Sequence, residues 1–421
     1  MIHTFTIAPG VTLRCHRDFR FKQGRVTVQL VRQMGREEAS MNALLPTVLL
    51  RGTQKHPDLR TITKHLDDLY GATVGDLVRR IGDWQTTGFG CAFTEDRFTL
   101  PGDQILAPTV EFLGELLLQP KLEKGVFCRE FVETEKRNLI CELEAQRNDK
   151  GSYAAGELLK TMCREDSFAI PRLGEKGQVE QITAQTLYDH YQKILREAPV
   201  EIFYVGSADP QEVAAAVTPI FEKLDRSPVS LAAQTPFRDA GASHRRERQQ
   251  ITQSRLCLGY VTTITNKKRE FAAMQVMNTL FGAGMTSKLF QNIREKLSLC
   301  YSIGSGYYGS KGILTVSAGI DADKEALVRT QVEAQLADCR QGRITEKELE
   351  AAKASVLSSL RAVMDSPGAI ESYFSVGILS GLCFSLPEYR EAVEAVGAED
   401  VARAAQSLRE HSSFFLEGAS Q

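Results

Sequence analysis

Seven histidines, at positions 3, 16, 56, 65, 190, 244 and 411, are the first residues to weigh for metal or acid–base chemistry. A catalytic zinc takes about three protein ligands and leaves one position open for water. Two ligands a helical turn apart usually begin such a site. No two of these histidines lie within four residues of each other. The nearest approach to a ligand pair is His65-x-x-Asp68, in KHLDDLYG, which reads as a helix surface. Glu135 and Glu142 stand two helical turns apart, so they share one face of a helix. Alone, such a pair reads as a solvated face. Arg294 and Tyr301 suit a different task. A guanidinium fork and a phenol hydroxyl can hold a peptide carbonyl or a developing oxyanion. The plainer alternative is a structural Arg–Glu pair and a core tyrosine. Gly282 and Gly284, just upstream, read as a helix stop.

Several elements must position these residues. RVTVQLV (25–31) alternates Val26, Val28 and Leu30 with Thr27 and Gln29, the pattern of a strand with one buried face. The next helix, around 40–50, contains Pro46, so it is expected to be short or to start near Pro46. Helices are expected over 60–72, 108–120 and 183–195, with a long one from about Glu123 to Gln146 and a strand over 84–96. VEIFYVGSADPQEV (200–213) reads as strand, turn and helix start. From Leu224 to about Gln250 the chain turns polar and aperiodic. HRRERQQ (244–250) falls there and reads as solvated linker. The second half then replays the first. A strand at 254–263 precedes a helix at 269–281, a helix is expected from about Thr286 to Lys296, and a strand follows at 312–321. A long helix opens with a Thr345-x-x-Glu348 capping box. The expectation is an α+β chain of two similar domains, each an antiparallel-rich sheet with helices packed on one face. Residues 1–225 and 251–421 form the domains, joined by a linker at 226–250.

Bulk properties exclude other classes. The 421 residues are 43% hydrophobic and 25% charged, with a net charge of −2, so there is no basic excess for nucleic acid or anionic lipid. No apolar run approaches the roughly 20 residues of a membrane helix, and MIHTFTIAPG does not read as a signal peptide. The nine cysteines form no C-x-x-C. They read as buried free thiols of a cytoplasmic protein.

Three segments resemble the insulinase/pitrilysin-type metallopeptidases, the inverted zincins, and the resemblance covers nearly the whole chain. In MNALLPTVLLRGTQKHP (41–57), Gly52-Thr53 is similar to the exit of the family's zinc helix, which carries His-x-x-Glu-His. On that alignment the first His falls on Ala43, the Glu on Pro46 and the second His on Thr47. FVETEKRNLICELEAQ (131–146) resembles the distal helix, with Glu142 at the third zinc ligand and Glu135 at a second acidic position. LFGAGMTSKLFQNIREKLSLCYSIGSGY (280–307) is similar to the second-domain signature. There Arg294 and Tyr301 match the pair that contacts bound peptide, and the Gly282/Gly284 turn also touches peptide in the family. The resemblance implies half of a clamshell that binds no zinc and is inactive alone. Its zinc-bearing partner would be a homologous chain with His-x-x-Glu-His, or the chain would form a homodimer. Two other readings stay open. One is a peptide-binding or assembly scaffold, as in the core subunits of respiratory cytochrome bc complexes. The other is an active peptidase with atypical ligands such as His56, His65 and Glu142.

Overall fold

In the computed structural model, which describes residues 2–222 and 224–418, the Val26–Val28–Leu30 alternation lies inside the strand β3 (Gln23–Gln33). The preceding strands are β1 (Ile2–Ala8) and β2 (Val11–Arg17). After β3 come β4 (Thr73–Ile81), β5 (Trp84–Thr94), a small hairpin of β6 (Leu122–Glu123) and β7 (Val126–Phe127), and β8 (Val200–Gly206). Six of these form one sheet in the order β1-β2-β8-β3-β5-β4, antiparallel except where β2 meets β8. Its helices are α1 (Arg36–Leu49), α2 (Leu59–Asp68), α3 (Leu106–Leu118), α4 (Arg129–Asn148), α5 (Lys150–Met162), α6 (Lys176–Gln181), α7 (Ala184–Glu197) and α8 (Pro210–Phe221), of which α5 joins the second unit described below. The apolar face of the sheet, including Val26, Val28, Phe89, Ile202 and Tyr204, packs in one core with Leu44 of α1, Leu113 of α3, Leu187 of α7 and Val217 of α8.

The second sheet contains β9 (His244–Gln249), β10 (Ser254–Val261), β11 (Ser302–Tyr308), β12 (Ile313–Ile320) and β13 (Arg409–Gly418). Its order is β11-β12-β10-β13-β9, antiparallel except where β9 meets β13. Helices α9 (Phe271–Phe281), α10 (Glu325–Arg340), α11 (Glu346–Ala362), α12 (Pro367–Ser380), α13 (Leu386–Ala395) and α14 (Ala398–Gln406) complete the chain. The fold is α+β, and each sheet carries its main helical layer on one face.

By its own contacts the chain divides into two units. The first holds residues 1–144, 170–233 and 364–376; the second holds 145–169, 234–363 and 377–421. In the first, the 364–376 segment lays Ile370 against Phe203 and Val205, on the sheet face opposite the main helical layer. There Glu371 is fully buried; it takes Arg79 Nη1 at 2.9 Å and Nη2 at 2.7 Å, and Thr27 and Gln29 donate to it. In the second, α5 packs Ala154 and Leu158 against Cys257 and Phe414. Beyond its end, buried Asp166 meets buried Lys311 at 2.9 Å. Each inserted segment thus delivers a carboxylate to a cation of the unit it joins.

Three local expectations are corrected. Helix α1 neither stops nor starts at Pro46; it runs through it, because another group takes over the lost backbone bond, as described below. The long helix begins at Arg129, not Glu123. Before it, Lys124 and Gly125 both have positive φ (52° and 84°), the two-residue turn that closes a tight hairpin. His244–Gln249, expected as solvated linker, is the edge strand β9. Its arginines are balanced along that edge: Arg246 and Arg248 pair with Glu417 at 3.2 and 2.9 Å. Charge on an edge strand discourages further strand pairing.

Candidate functional site

Helix α1 begins with Glu37 and Glu38 in its first turn, where carboxylates favour the positive end of the helix dipole. Pro46 has no N–H, so the Asn42 carbonyl loses its normal helical donor. The Thr87 hydroxyl, from β5, donates to that carbonyl at 2.6 Å. The Asn42 side chain is fully buried and donates to Gln85 Oε1 at 2.9 Å. Its Oδ1 lies 2.7 Å from His190 Nε2, which must donate there. Burial holds the His190 pKa down to about 4, so the ring is neutral at pH 7.

The residues at the expected motif positions do not fit a zinc ion. Ala43 is buried and has no lone pair to offer. Pro46 is buried and offers none from its side chain, and the Thr47 hydroxyl donates to the Leu44 carbonyl at 2.9 Å. Glu142 is exposed on α4. Glu135 is buried and engaged: it lies 3.4 Å from Arg51 Nη1 and accepts from Asn138 Nδ2 at 3.1 Å. Among the described residues no group of three or more His, Cys, Asp or Glu side chains could hold a metal ion. His56 and His65 do meet, but as tilted rings with centroids 4.4 Å apart and planes at 30°. His56 Nδ1 is 2.8 Å from Glu115 Oε1.

Glu115 also explains the Gly52-Thr53 exit. The Thr53 hydroxyl donates to this buried carboxylate and accepts from the His56 amide at 2.8 Å. A Cβ on Gly52 would lie 2.7 Å from the Pro57 carbonyl oxygen, so a larger residue would force the loop apart. The exit is thus held by packing and hydrogen bonds that need no metal. The sequence reading missed Glu115 because nothing in a lone Glu on an apolar helix marks its partners, about sixty positions away.

Arg294 and Tyr301 share a cleft of about 420 Å³, lined also by Glu295, Ser298, Leu299, Cys300 and Lys324. The helix that carries Arg294 differs from expectation. It is a π-helix over Leu289–Lys296, and its end is wound wide: Leu297 N donates to Asn292 O, five residues back, at 3.2 Å. π-Helical turns are rare and often mark functional sites. Ser298 follows with φ +50°. Leu289 and Ile293 bury the inner face, while the Arg294 side chain is 41% exposed and its guanidinium lies 4.6 Å from the Phe290 ring centre. Tyr301 is 61% exposed and stands just before the edge strand β11. It is therefore not a core tyrosine. Its hydroxyl lies 3.1 Å from Asp321 Oδ1, and Lys324 Nζ lies 2.7 Å from Asp321 Oδ2. The hydrogen bond from the Lys324 ammonium, with a smaller contribution from Tyr301, holds the Asp321 carboxyl below the usual range. Cys300 is buried, which raises its thiol pKa.

Gly282 and Gly284 do not line this cleft. Gly282 ends α9 and accepts from Ser305 N at 3.0 Å; a Cβ there would lie 2.4 Å from Ser305 Oγ. Gly284 has φ +130°, a conformation other residues rarely adopt.

Comparison with known proteins adds a family to this geometry. A family model described as the peptidase M16 inactive domain matches residues 181–356, a span that contains Arg294 and Tyr301. A Bacillus subtilis protein named probable inactive metalloprotease YmfF is 27% identical over 97% of this chain and 96% of its own length. The crystal structure of a conserved protein from Enterococcus faecalis covers 100% of this chain and 99% of its own at TM-score 0.92 and 29% identity. That of a peptidase M16 inactive domain from Pseudomonas fluorescens covers 100% and 98% at TM-score 0.81 and 18% identity.

Proposed function

From a chain that belongs to the insulinase/pitrilysin-type (M16) metallopeptidase family and lacks its zinc motif, we propose a non-catalytic, substrate-binding subunit of a two-chain zinc peptidase. The zinc sits on a homologous partner chain carrying His-x-x-Glu-His. One contrast carries the reading. The metal positions hold Ala43, Pro46 and Thr47 inside a satisfied core, whereas Arg294 and Tyr301 still line an open cleft. Ala43, Pro46 and Thr47 offer neither metal ligands nor a base to activate water, but the cleft can still hold a peptide.

An extended peptide pairs by its backbone with a sheet edge. Both sheets keep such an edge, β4 beside α1 and β11 beside the cleft. Arg294 holds a peptide carbonyl within reach of the partner's zinc. All nine cysteines are free, which fits a reducing compartment, so the pair is assigned to the cytoplasm.

The test begins with purification of the chain from its own cell together with whatever accompanies it. A homologous chain with His-x-x-Glu-His is expected, zinc is expected on that chain, and the mixture is expected to cleave peptides. Arg294→Ala is expected to lower kcat/KM of the mixture by about tenfold, the scale of one charge-assisted hydrogen bond. Stoichiometric zinc on the isolated chain by mass spectrometry, or unchanged cleavage by Arg294→Ala, contradicts the proposal. Copurification without any zinc-bearing chain favours a peptide-binding or assembly scaffold instead.

A further inference from the structure

Within the cleft, Arg294 and Tyr301 do not offer the same chemistry. A guanidinium is all donor. Among the described residues the nearest carboxylate oxygen to Arg294 is that of Glu295 at 3.9 Å, beyond hydrogen-bonding distance, so the fork stays available to a guest. Tyr301 has one hydroxyl proton, and Asp321 lies against it at 3.1 Å. Asp321 Oδ2 accepts from Lys324 Nζ at 2.7 Å, which keeps the carboxylate charged. An ionised carboxylate only accepts, so Tyr301 must donate to it. That leaves the phenol oxygen with lone pairs and no proton for a guest. The backbone is fixed as well, since the Tyr301 amide donates to Gly319 O at 2.9 Å.

We infer that Asp321 is a positioning residue that turns Tyr301 into an acceptor, so that the cleft reads one peptide unit through both its groups. Arg294 takes the carbonyl and Tyr301 takes an N–H. The inference rests on the peptide-binding reading above and departs from the expectation that Tyr301 donates to a carbonyl. It gives the site a polarity: a peptide enters with C=O toward Arg294 and N–H toward Tyr301, and a unit lacking its N–H binds more weakly.

The experiment uses the full chain and a fluorescein-labelled, proline-free decapeptide. A set of analogues replaces one amide N–H at a time by ester oxygen, and binding is read by fluorescence anisotropy. One ester position is expected to weaken binding to the wild type about fivefold, the scale of one net hydrogen bond. Asp321→Ala and Tyr301→Phe are expected to reduce that discrimination to the remainder set by the weaker ester carbonyl at Arg294, while leaving the response to the other esters unchanged. A purely structural role for Asp321 would instead weaken amide and ester peptides alike.

A second readout does not need peptide. In protein labelled at tyrosine Cζ, the Tyr301 resonance, assigned by its loss in Tyr301→Phe, is expected to shift in Asp321→Ala. Undiminished ester discrimination in Asp321→Ala, or an unmoved Tyr301 resonance, overturns the inference. So does a wild type that binds the peptide with no ester-sensitive position. A wild type that binds no peptide, and behaves as Arg294→Ala does, overturns the peptide-binding reading itself. The resonance then still reports whether Asp321 holds Tyr301.

Discussion

His190 shows what stands where a metal helix would need its ligands and base. The ring lies under α1, hydrogen-bonded to Asn42, with Glu38, Arg32 and Lys193 as its charged neighbours. Burial dominates and holds its pKa near 4 against an ordinary 6.5. A folded pKa below the unfolded one means that the unfolded chain takes up the proton first. The contribution to stability is therefore complete above pH 6.5 and is lost as pH falls toward 4. Glu38, held near 2 despite its burial by Arg32 and Lys193, stays ionised in the folded chain through this window. Between pH 6.5 and 4.5 the wild type is expected to lose up to about 2 kcal/mol through His190. Urea denaturation across that range is expected to show a shallower pH slope for His190→Gln, and parallel slopes would refute the assignment. Nothing of this histidine was legible beforehand. A lone His in TAQTLYDHYQKIL has no nearby ligand, and its partner Asn42 lies 148 positions away.

At the scale of an element, α1 tolerates an interior proline because β5 supplies the missing donor. A proline inside a helix costs about 3 kcal/mol or more when nothing compensates. Here Thr87 satisfies the Asn42 carbonyl. Thr87→Val is expected to leave that carbonyl buried and unpaired, at about 1–3 kcal/mol. In a Pro46→Ala background the residue 46 amide can donate instead, so the same substitution is expected to cost much less. A double-mutant cycle by chemical denaturation measures the difference, and additivity would mean that Thr87 does not serve the helix. The same contrast separates what the sequence disclosed from what it hid. The capping box of Thr345 and Glu348 was readable because its partners are three residues apart; the bond from Lys288 to the other Glu348 oxygen, 60 positions away, was not. The alternation that builds β3 was readable because burial repeats every second residue. The compensation at Pro46 was not, since it comes from a strand 45 positions away. The Lys124-Gly125 turn was an unread local signal, hidden inside a stretch that looked helical. In the cleft, Arg294 and Tyr301 stood out by resemblance, whereas Asp321, 20 positions beyond Tyr301, carried no mark in the sequence. The π-helical winding also escaped, because the apolar spacing of Leu289 and Ile293 fits an ordinary helix equally well.

Across the whole molecule, chain order and compact units do not coincide, and buried charge holds the inserted segments. Residues 364–376 belong with the first unit although the chain on both sides belongs with the second. A short segment of this kind buries little apolar surface of its own: Ile370 is its fully buried apolar residue. Glu371 adds the bidentate Arg79 contact and the Thr27 and Gln29 bonds, beside a Gln29–Ser375 bond and Phe374 stacked on His16. A buried pair adds little over an apolar one but is strongly destabilising to break, because the surviving charge stays buried. Arg79 is 17% exposed, so some of that penalty is relieved by water. Glu371→Gln is accordingly expected to destabilise the first unit by about 3 kcal/mol, the low end for a broken buried pair. Because stability is local to a cooperative unit, amide exchange is expected to quicken in β3, β4 and β5 while β10 and β12 hold their protection. Asp166→Asn, which breaks the corresponding contact with Lys311, is expected to give the opposite pattern. Equal loss of protection in both sheets from either substitution would mean that the two units unfold as one, and that the inserted segments are not what each unit depends on.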